Sequence, residues 1–312
     1  MCPSRLILVV GLACSLALAC QPMPQAPASA VGPPPVTAKQ SATEIRRHAL
    51  ERDPEPTDEG LRDLIAELKD RFRCNAISGC PVQARLTAYG WAARVPLEGL
   101  FARAGWQTPY RARTVQIIKE LGDPGAEPFL AHCLEDRDPE VRAQGALGLA
   151  SLGASKYTQR LQELRHADQP WQAPAKVGAL YALWQLGDEA AGAEFSVTLQ
   201  ALAPLHMAGG ALTLGAELCA RVPAPDCRAA LPAIARHPGF QARRAALHAM
   251  TARLHPSYAP ALVYLLGDQA RSIRDEAEAA LVALTGDQSR NGKDEWLAWC
   301  QSGGCKALLP GP

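Results

Sequence analysis

The 312-residue sequence predicts an all-α protein, an α-solenoid of about five to six helix pairs with helical N-terminal and C-terminal caps. Three observations predict it. Segments beginning at Tyr110, Val141, Ala175, Met207, Ala242 and Ile273 align with one another, their starts separated by 31, 34, 32, 35 and 31 residues. Self-similarity at that period is the mark of stacked supersecondary units. Within each segment the patterned positions stand at offsets 0, 4, 8 and 11, which lie along one side of a helix of 3.6 residues per turn. Strand-like runs of Val, Ile and Thr are missing, and aromatics make up only 5% while alanine and leucine abound, as helices packed closely on helices require.

The columns are specific. Four residues in stand Thr114, Gly145, Ala179, Ala211, Ala246 and Ala277, all small. Eight in stand Ile118, Leu149, Leu183, Gly215, Met250 and Leu281, and eleven in Leu121, Leu152, Leu186, Leu218, Arg253 and Leu284. Gly215 and Arg253 depart from their columns. Gly122, Gly153 and Gly187 directly follow the last apolar position of the first three segments, where a glycine accepts the left-handed conformation that ends a helix. Asp138 followed by Pro139 gives an N-cap and then proline at the first helical position.

Shorter helical runs separate the aligned helices, at Ala126–Glu135, Tyr157–His166, Ala190–Leu202, Asp226–His237 and Tyr258–Leu266. The unit is therefore helix, turn, helix, turn. One such pair cannot bury its own apolar face, so stacking must supply the core. Asp138-Pro139-Glu140-Val141-Arg142, followed by Gly145-Ala146, Leu149 and Leu152-Gly153, resembles the short HEAT repeat, of the kind also found in phycobilisome lyases. The resemblance covers residues 110–286 and is specific as a repeat pattern, but the scaffold carries many unrelated roles. The closing segment, Leu284-Thr285-Gly286 with Asp294, Trp296 and Trp299, resembles the end of bacterial HEAT-repeat proteins. Trp296 and Trp299, three apart, share a helix face able to cover the last repeat.

The organisation read from these signals is a signal segment over 1–19, a tether over 20–40, an N-terminal helical cap with a degenerate repeat over 41–108, HEAT repeats over 109–286 and a C-terminal cap over 287–312. The beginning is basic at Arg5 and apolar from Leu6 to Ala19, the plan of a secretory signal and too short for a span of ~20 residues. Leu16-Ala17-Leu18-Ala19-Cys20 resembles the lipobox of bacterial lipoproteins, with Ala17 where the family prefers leucine; Cys14 is a weaker candidate and an ordinary signal peptide the plainer alternative. The resemblance implies cleavage before Cys20 and its lipidation, and Gln21 after it implies the outer membrane of a two-membrane cell. Six prolines in residues 21–40 make a semi-rigid spacer of roughly 60 Å.

Beyond Cys20, six cysteines form close pairs: Cys74 with Cys80, Cys219 with Cys227, and Cys300 with Cys305. Export would place them where disulfides persist, and each pair brackets turn-forming residues. Metal binding is the rival reading, but no pair has the two-residue spacing of a zinc knuckle and no histidine pair completes one. Cys133, in Phe129-Leu130-Ala131-His132-Cys133-Leu134, reads as a small buried hydrophobe.

Little else suggests chemistry. A formal net charge of +1 argues against a dedicated nucleic-acid binder. The seven histidines, His48, His132, His166, His206, His237, His248 and His255, form no His-Glu-x-x-His site, and neither a nucleophile elbow nor a phosphate loop is present. Gly209-Gly210 reads as a close-packing device, and Asp275, Glu276 and Glu278 as a solvated helix face. One residue after each repeat start stands Arg111, Arg142, Lys176, Ala208, Arg243 and Arg274. These basic residues either tie adjacent repeats together through carboxylates and carbonyls, the role the resemblance implies, or form a stripe that docks an acidic partner.

The expected function is non-catalytic: a lipid-anchored scaffold for a protein partner in the cell envelope, touching the membrane through its lipid only, without cofactor or metal. Two alternatives stand beside it. One is a lyase-like enzyme acting on a tetrapyrrole, which the exported location and the missing catalytic constellation oppose. The other is a structural protein binding peptidoglycan or polysaccharide.

Overall fold

The computed structural model describes residues 58–69, 80–105, 110–221 and 224–308, all within one compact unit, Lys39–Pro312. The expected signal segment, Cys14, Cys20, the proline-rich tether, the beginning of the N-terminal cap and Cys74 lie outside the described residues.

The described residues form helices and no strand. In chain order they are α1 (Glu59–Lys69), α2 (Pro81–Ala88), α3 (Arg94–Arg103), α4 (Arg111–Leu121), α5 (Glu127–Cys133), α6 (Pro139–Ser151), α7 (Thr158–Arg165) and α8 (Ala173–Gln185). After them come α9 (Glu189–Leu202), α10 (Gly209–Cys219), α11 (Ala230–Ile234), α12 (Phe240–Ala252), α13 (Ala259–Leu265), α14 (Arg271–Thr285), α15 (Gly292–Gln301) and α16 (Gly304–Ala307). None is long and apolar enough to cross a membrane.

The helices make two rows. In one, α2, α4, α6, α8, α10, α12 and α14 each pack on the next. In the other, α3, α5, α7, α9, α11 and α13 each pack on the helix that follows them. The six aligned segments are the helices of the first row from α4 onward, and α3 pairs with α4 across the 108/109 boundary. The offsets explain the burial. The positions four and eight residues in, from Thr114 to Ala277 and from Ile118 to Leu281, are all buried. Eleven residues in, Leu152, Leu186 and Leu284 are only half-buried, because that position lies where the helix runs out into its turn. In α6 eight of thirteen residues are buried and in α8 nine of thirteen, as expected of helices packed on more than one side.

Close approach accounts for the small residues. A methyl group on Gly178 would stand 2.7 Å from the Ala143 Cα, so α6 and α8 meet almost backbone to backbone. Gly215 breaks the large-residue column because Leu199 of α9 fills its place; a methyl there would stand 2.3 Å from a Leu199 methyl.

The stop and start signals act as read. Gly122, Gly153 and Gly187 have φ of 62°, 67° and 101°, which L-residues with a Cβ avoid. Asp138 accepts the Glu140 amide at 2.9 Å, Asp123 accepts that of Gly125 at 2.8 Å, and Asp188 accepts that of Ala191 at 3.0 Å, each satisfying an orphan donor of a first turn. At the far end α15 packs on α13 and inserts Trp296, which is fully buried. The Trp299 ring stands edge-on to it at 5.4 Å, and the Arg290 guanidinium lies 5.5 Å from both rings.

Candidate functional site

The basic column at the repeat starts sits at the turns that enter the first-row helices. Arg111 is only 6% exposed, which takes it off any docking face. It donates to the carbonyls of Phe101 at 3.1 Å and Ala104 at 3.0 Å, pairs with Asp136 of the next repeat and lies 3.8 Å over the Phe101 ring. Asp136 in turn accepts the Asp138 amide at 2.9 Å, and its own carbonyl accepts from Arg142 at 2.7 Å. The arrangement recurs in the fifth of the six repeats. Arg243 forks onto Asp268 at 2.5 and 3.1 Å, Asp268 accepts the Ala270 amide at 2.8 Å, and Arg274 donates to the Asp268 carbonyl at 2.8 Å. Each arginine thus satisfies turn carbonyls of its own repeat, while Arg111 and Arg243 also grip the turn that follows. Lys176 differs, standing 4.0 Å from Glu194. Several N–H donors on one planar group let each of these arginines bond two or more acceptors at once, which explains why arginine and not lysine dominates the column.

A second polar cluster escaped the sequence reading. Lys119 of α4 is 8% exposed and donates to Gln144 of α6 at 2.9 Å. Burial, then the positive field of Arg221, pushes its amine down to about 8, against the pull of Glu120 and Glu217. Glu217 keeps an exposed face, yet partial desolvation by the crowded helices around it raises its carboxyl despite four basic neighbours, Arg113, Lys119, Arg221 and Arg244. Glu140, also with an exposed face, is raised by partial desolvation and by Asp138, and a methyl on Gly210 would stand 3.1 Å from its Oε1. Residues of α4, α6 and α10 therefore converge across α8, which intervenes in the row. One signal was present in the sequence: nine residues into each repeat stand Lys119, Ala150, Trp184, Ala216, Thr251 and Val282, so a lysine occupies a largely apolar column.

The cysteines are placed as follows. Cys219 and Cys227 are bonded, with Cα atoms 6.0 Å apart, and Cys300 and Cys305 likewise, at 4.6 Å. Cys80 is also disulfide-bonded. Cys133 is free and buried, and burial pushes its thiol well up. Thiol labelling of the protein isolated from cells, unfolded without reductant, is expected to find one reactive thiol downstream of Cys20. Seven would mean that the pairs are reduced in the cell. No group of three His, Cys, Asp or Glu is placed to hold a metal among the described residues.

One apolar patch stands out on the surface. Trp171 is 55% exposed and Met207 85% exposed, with Leu205 partly exposed as well. Their turns, 170–172 and 206–208, pack on each other, and the Arg142 guanidinium lies 5.9 Å from the Trp171 ring. His237 braces this edge: its Nδ1 accepts the Gly239 amide at 3.0 Å, which leaves Nε2–H to donate to the Leu205 carbonyl at 3.2 Å.

Two rows of helices stacked pair on pair define a helical repeat protein. Residues 97–184 match the family model of HEAT repeats, so the chain contains a HEAT-repeat domain. The match spans α3 to α8, the stretch in which the apolar columns and the turn signals are least interrupted. Comparison with curated proteins and with solved structures gives no match.

Proposed function

We propose that the chain is a lipid-anchored envelope protein whose HEAT-repeat solenoid serves as a binding scaffold for another protein and carries no catalysis of its own. The observation that carries the scaffold reading is the patch of Trp171, Met207 and Leu205 beside Arg142. Aromatic, Met and Arg side chains are what interface centres are enriched in, and Met adapts its shape to a partner. The patch lies on packed turns rather than on a loose loop, so little ordering would oppose binding. The anchor reading rests on the Leu-Ala-Leu-Ala-Cys sequence and on the proline-rich spacer that follows it.

One experiment addresses both readings. A photo-crosslinking residue at position 171, irradiated in intact cells, is expected to capture one predominant protein. Trp171→Ala combined with Met207→Ala should abolish the capture of that protein by a crosslinker at a neighbouring exposed position, with Tm unchanged. Cys20→Ala should release the chain from the membrane fraction or leave its precursor uncut. Capture that survives the double substitution, or an unaltered mass and fractionation in the cysteine variant, would reject the corresponding half of the proposal.

A further inference from the structure

The fifth repeat departs from the others in two ways, and the departures meet in space. Eleven residues into the fifth segment, just past the end of α12 and where the other repeats carry leucine, stands Arg253. Before it, the connection between α10 and α11 is pinned by the Cys219–Cys227 bond. Between these features lies a cleft of about 550 Å³, walled by the bonded cysteines, Ala224, Leu231 and Leu254, with Asp226, Arg228, Arg253, His255 and Tyr258 as its polar members.

The polar members are not equally committed. Arg228 grips both oxygens of Asp226, with Nε at 3.0 Å from each and Nη2 at 2.6 Å from Oδ2. That contact holds the Asp226 carboxyl down at about 2, so the pair cancels its own charge at any ordinary pH. His255 uses Nδ1 on the Ser257 amide at 3.2 Å and on its hydroxyl at 2.8 Å, and its ring stands edge-on to Tyr258 at 5.9 Å. Arg253 makes one long bond, to the Cys219 carbonyl at 3.4 Å. The cleft therefore holds one cation with most of its donors unused, beside an apolar wall. A guanidinium fork matches a carboxylate in geometry and charge, and the apolar half of the lining, the bonded cysteines with Ala224, Leu231 and Leu254, gives the hydrophobic body of a ligand a surface to rest on.

We infer that this cleft binds a small organic monocarboxylate, its carboxylate on Arg253 and its apolar body against Leu231, Leu254 and the bonded cysteines. A single cation favours a monoanion; a phosphate dianion would meet too little positive charge, and an ammonium ion would be repelled. The inference stands apart from the scaffold reading, because the cleft and the Trp171 patch share no residue.

The purified full chain would be titrated calorimetrically with benzoate and with hexanoate, and with inorganic phosphate and hexylamine for comparison. At least one of the two carboxylates is expected to saturate below about 10 mM, with the other two probes at least tenfold weaker. Arg253→Leu restores the residue the column carries elsewhere, so it should keep or raise Tm while weakening carboxylate binding at least tenfold. Arg253→Gln keeps a polar side chain and serves the same purpose should the leucine variant fold poorly; it too should weaken binding at least tenfold. No saturation by either carboxylate, equal affinity for phosphate or hexylamine, or undiminished binding in a folded Arg253 variant would overturn the assignment.

Discussion

Truncating Leu149 or Leu183 to alanine is expected to cost about 2–5 kcal/mol at each site, the lost transfer free energy plus the cavity left behind. Both side chains are fully buried, Leu149 in α6 and Leu183 in α8, and these helices meet so closely at Gly178 and Ala143 that they cannot collapse further to fill a void. Leu152, only half-buried at the end of α6, should cost clearly less, on the order of 1 kcal/mol from its smaller buried area. Urea unfolding of the three variants measures the ordering. In a stacked repeat each unit touches only its neighbours, so hydrogen exchange in the Leu183 variant should accelerate in α6 and α10 before α14. Equal, small losses at Leu149, Leu183 and Leu152 would mean that the repeat register is wrong.

Lys119→Met is expected to stabilise the protein at pH 7 by about 1–3 kcal/mol, since one pKa unit corresponds to roughly 1.4 kcal/mol of differential interaction between protonation states. The folded chain holds this amine at about 8 against an ordinary 10.5. Below about pH 8 the lysine is charged whether folded or not, and the full cost of burying that charge opposes folding. Between about 8 and 10.5 the unfolded chain still binds a proton that the folded chain has released, so stability contributed at this site rises with pH. Above that window the cost is gone. The advantage of methionine, which fits a similar volume, should therefore be largest at neutral pH and vanish by about pH 10.5, less the small loss of the Gln144 contact. Urea titrations of both proteins at pH 7 and pH 10.5 measure this difference, in which other titrating groups cancel. A destabilised variant at pH 7 would show that Gln144, Glu120 and Glu217 together hold the charge well enough to outweigh its burial.

The helices and their order were legible because they rest on local signals. Asp138 with Pro139, the glycines at 122, 153 and 187, and small residues four places into each repeat act within a few residues of chain, and a 3.6-residue period exposes them. The departures were legible as departures but not in their meaning. Gly215 makes sense only once Leu199 is seen in its place, and Arg253 only once the cleft beside the Cys219–Cys227 bond is seen.

The basic column marks the division. The sequence by itself determined that Arg111, Arg142, Lys176, Arg243 and Arg274 recur at one repeat position and therefore share one edge of the stack. Only the tertiary structure decided their occupation: Arg111 is buried under Asp136, Arg243 forks onto Asp268 in the following turn, and Arg142 serves its own turn while lying beside the exposed Trp171. Lys119 and Glu217 carry the point further, since they interact across α6 and α8 and no pattern within one repeat links them. The physical reason is that helix periodicity is set residue by residue, whereas the meeting of distant repeats depends on small rotations between neighbours that accumulate along the stack. A sequence states the first directly; the second emerges only when every interface is packed.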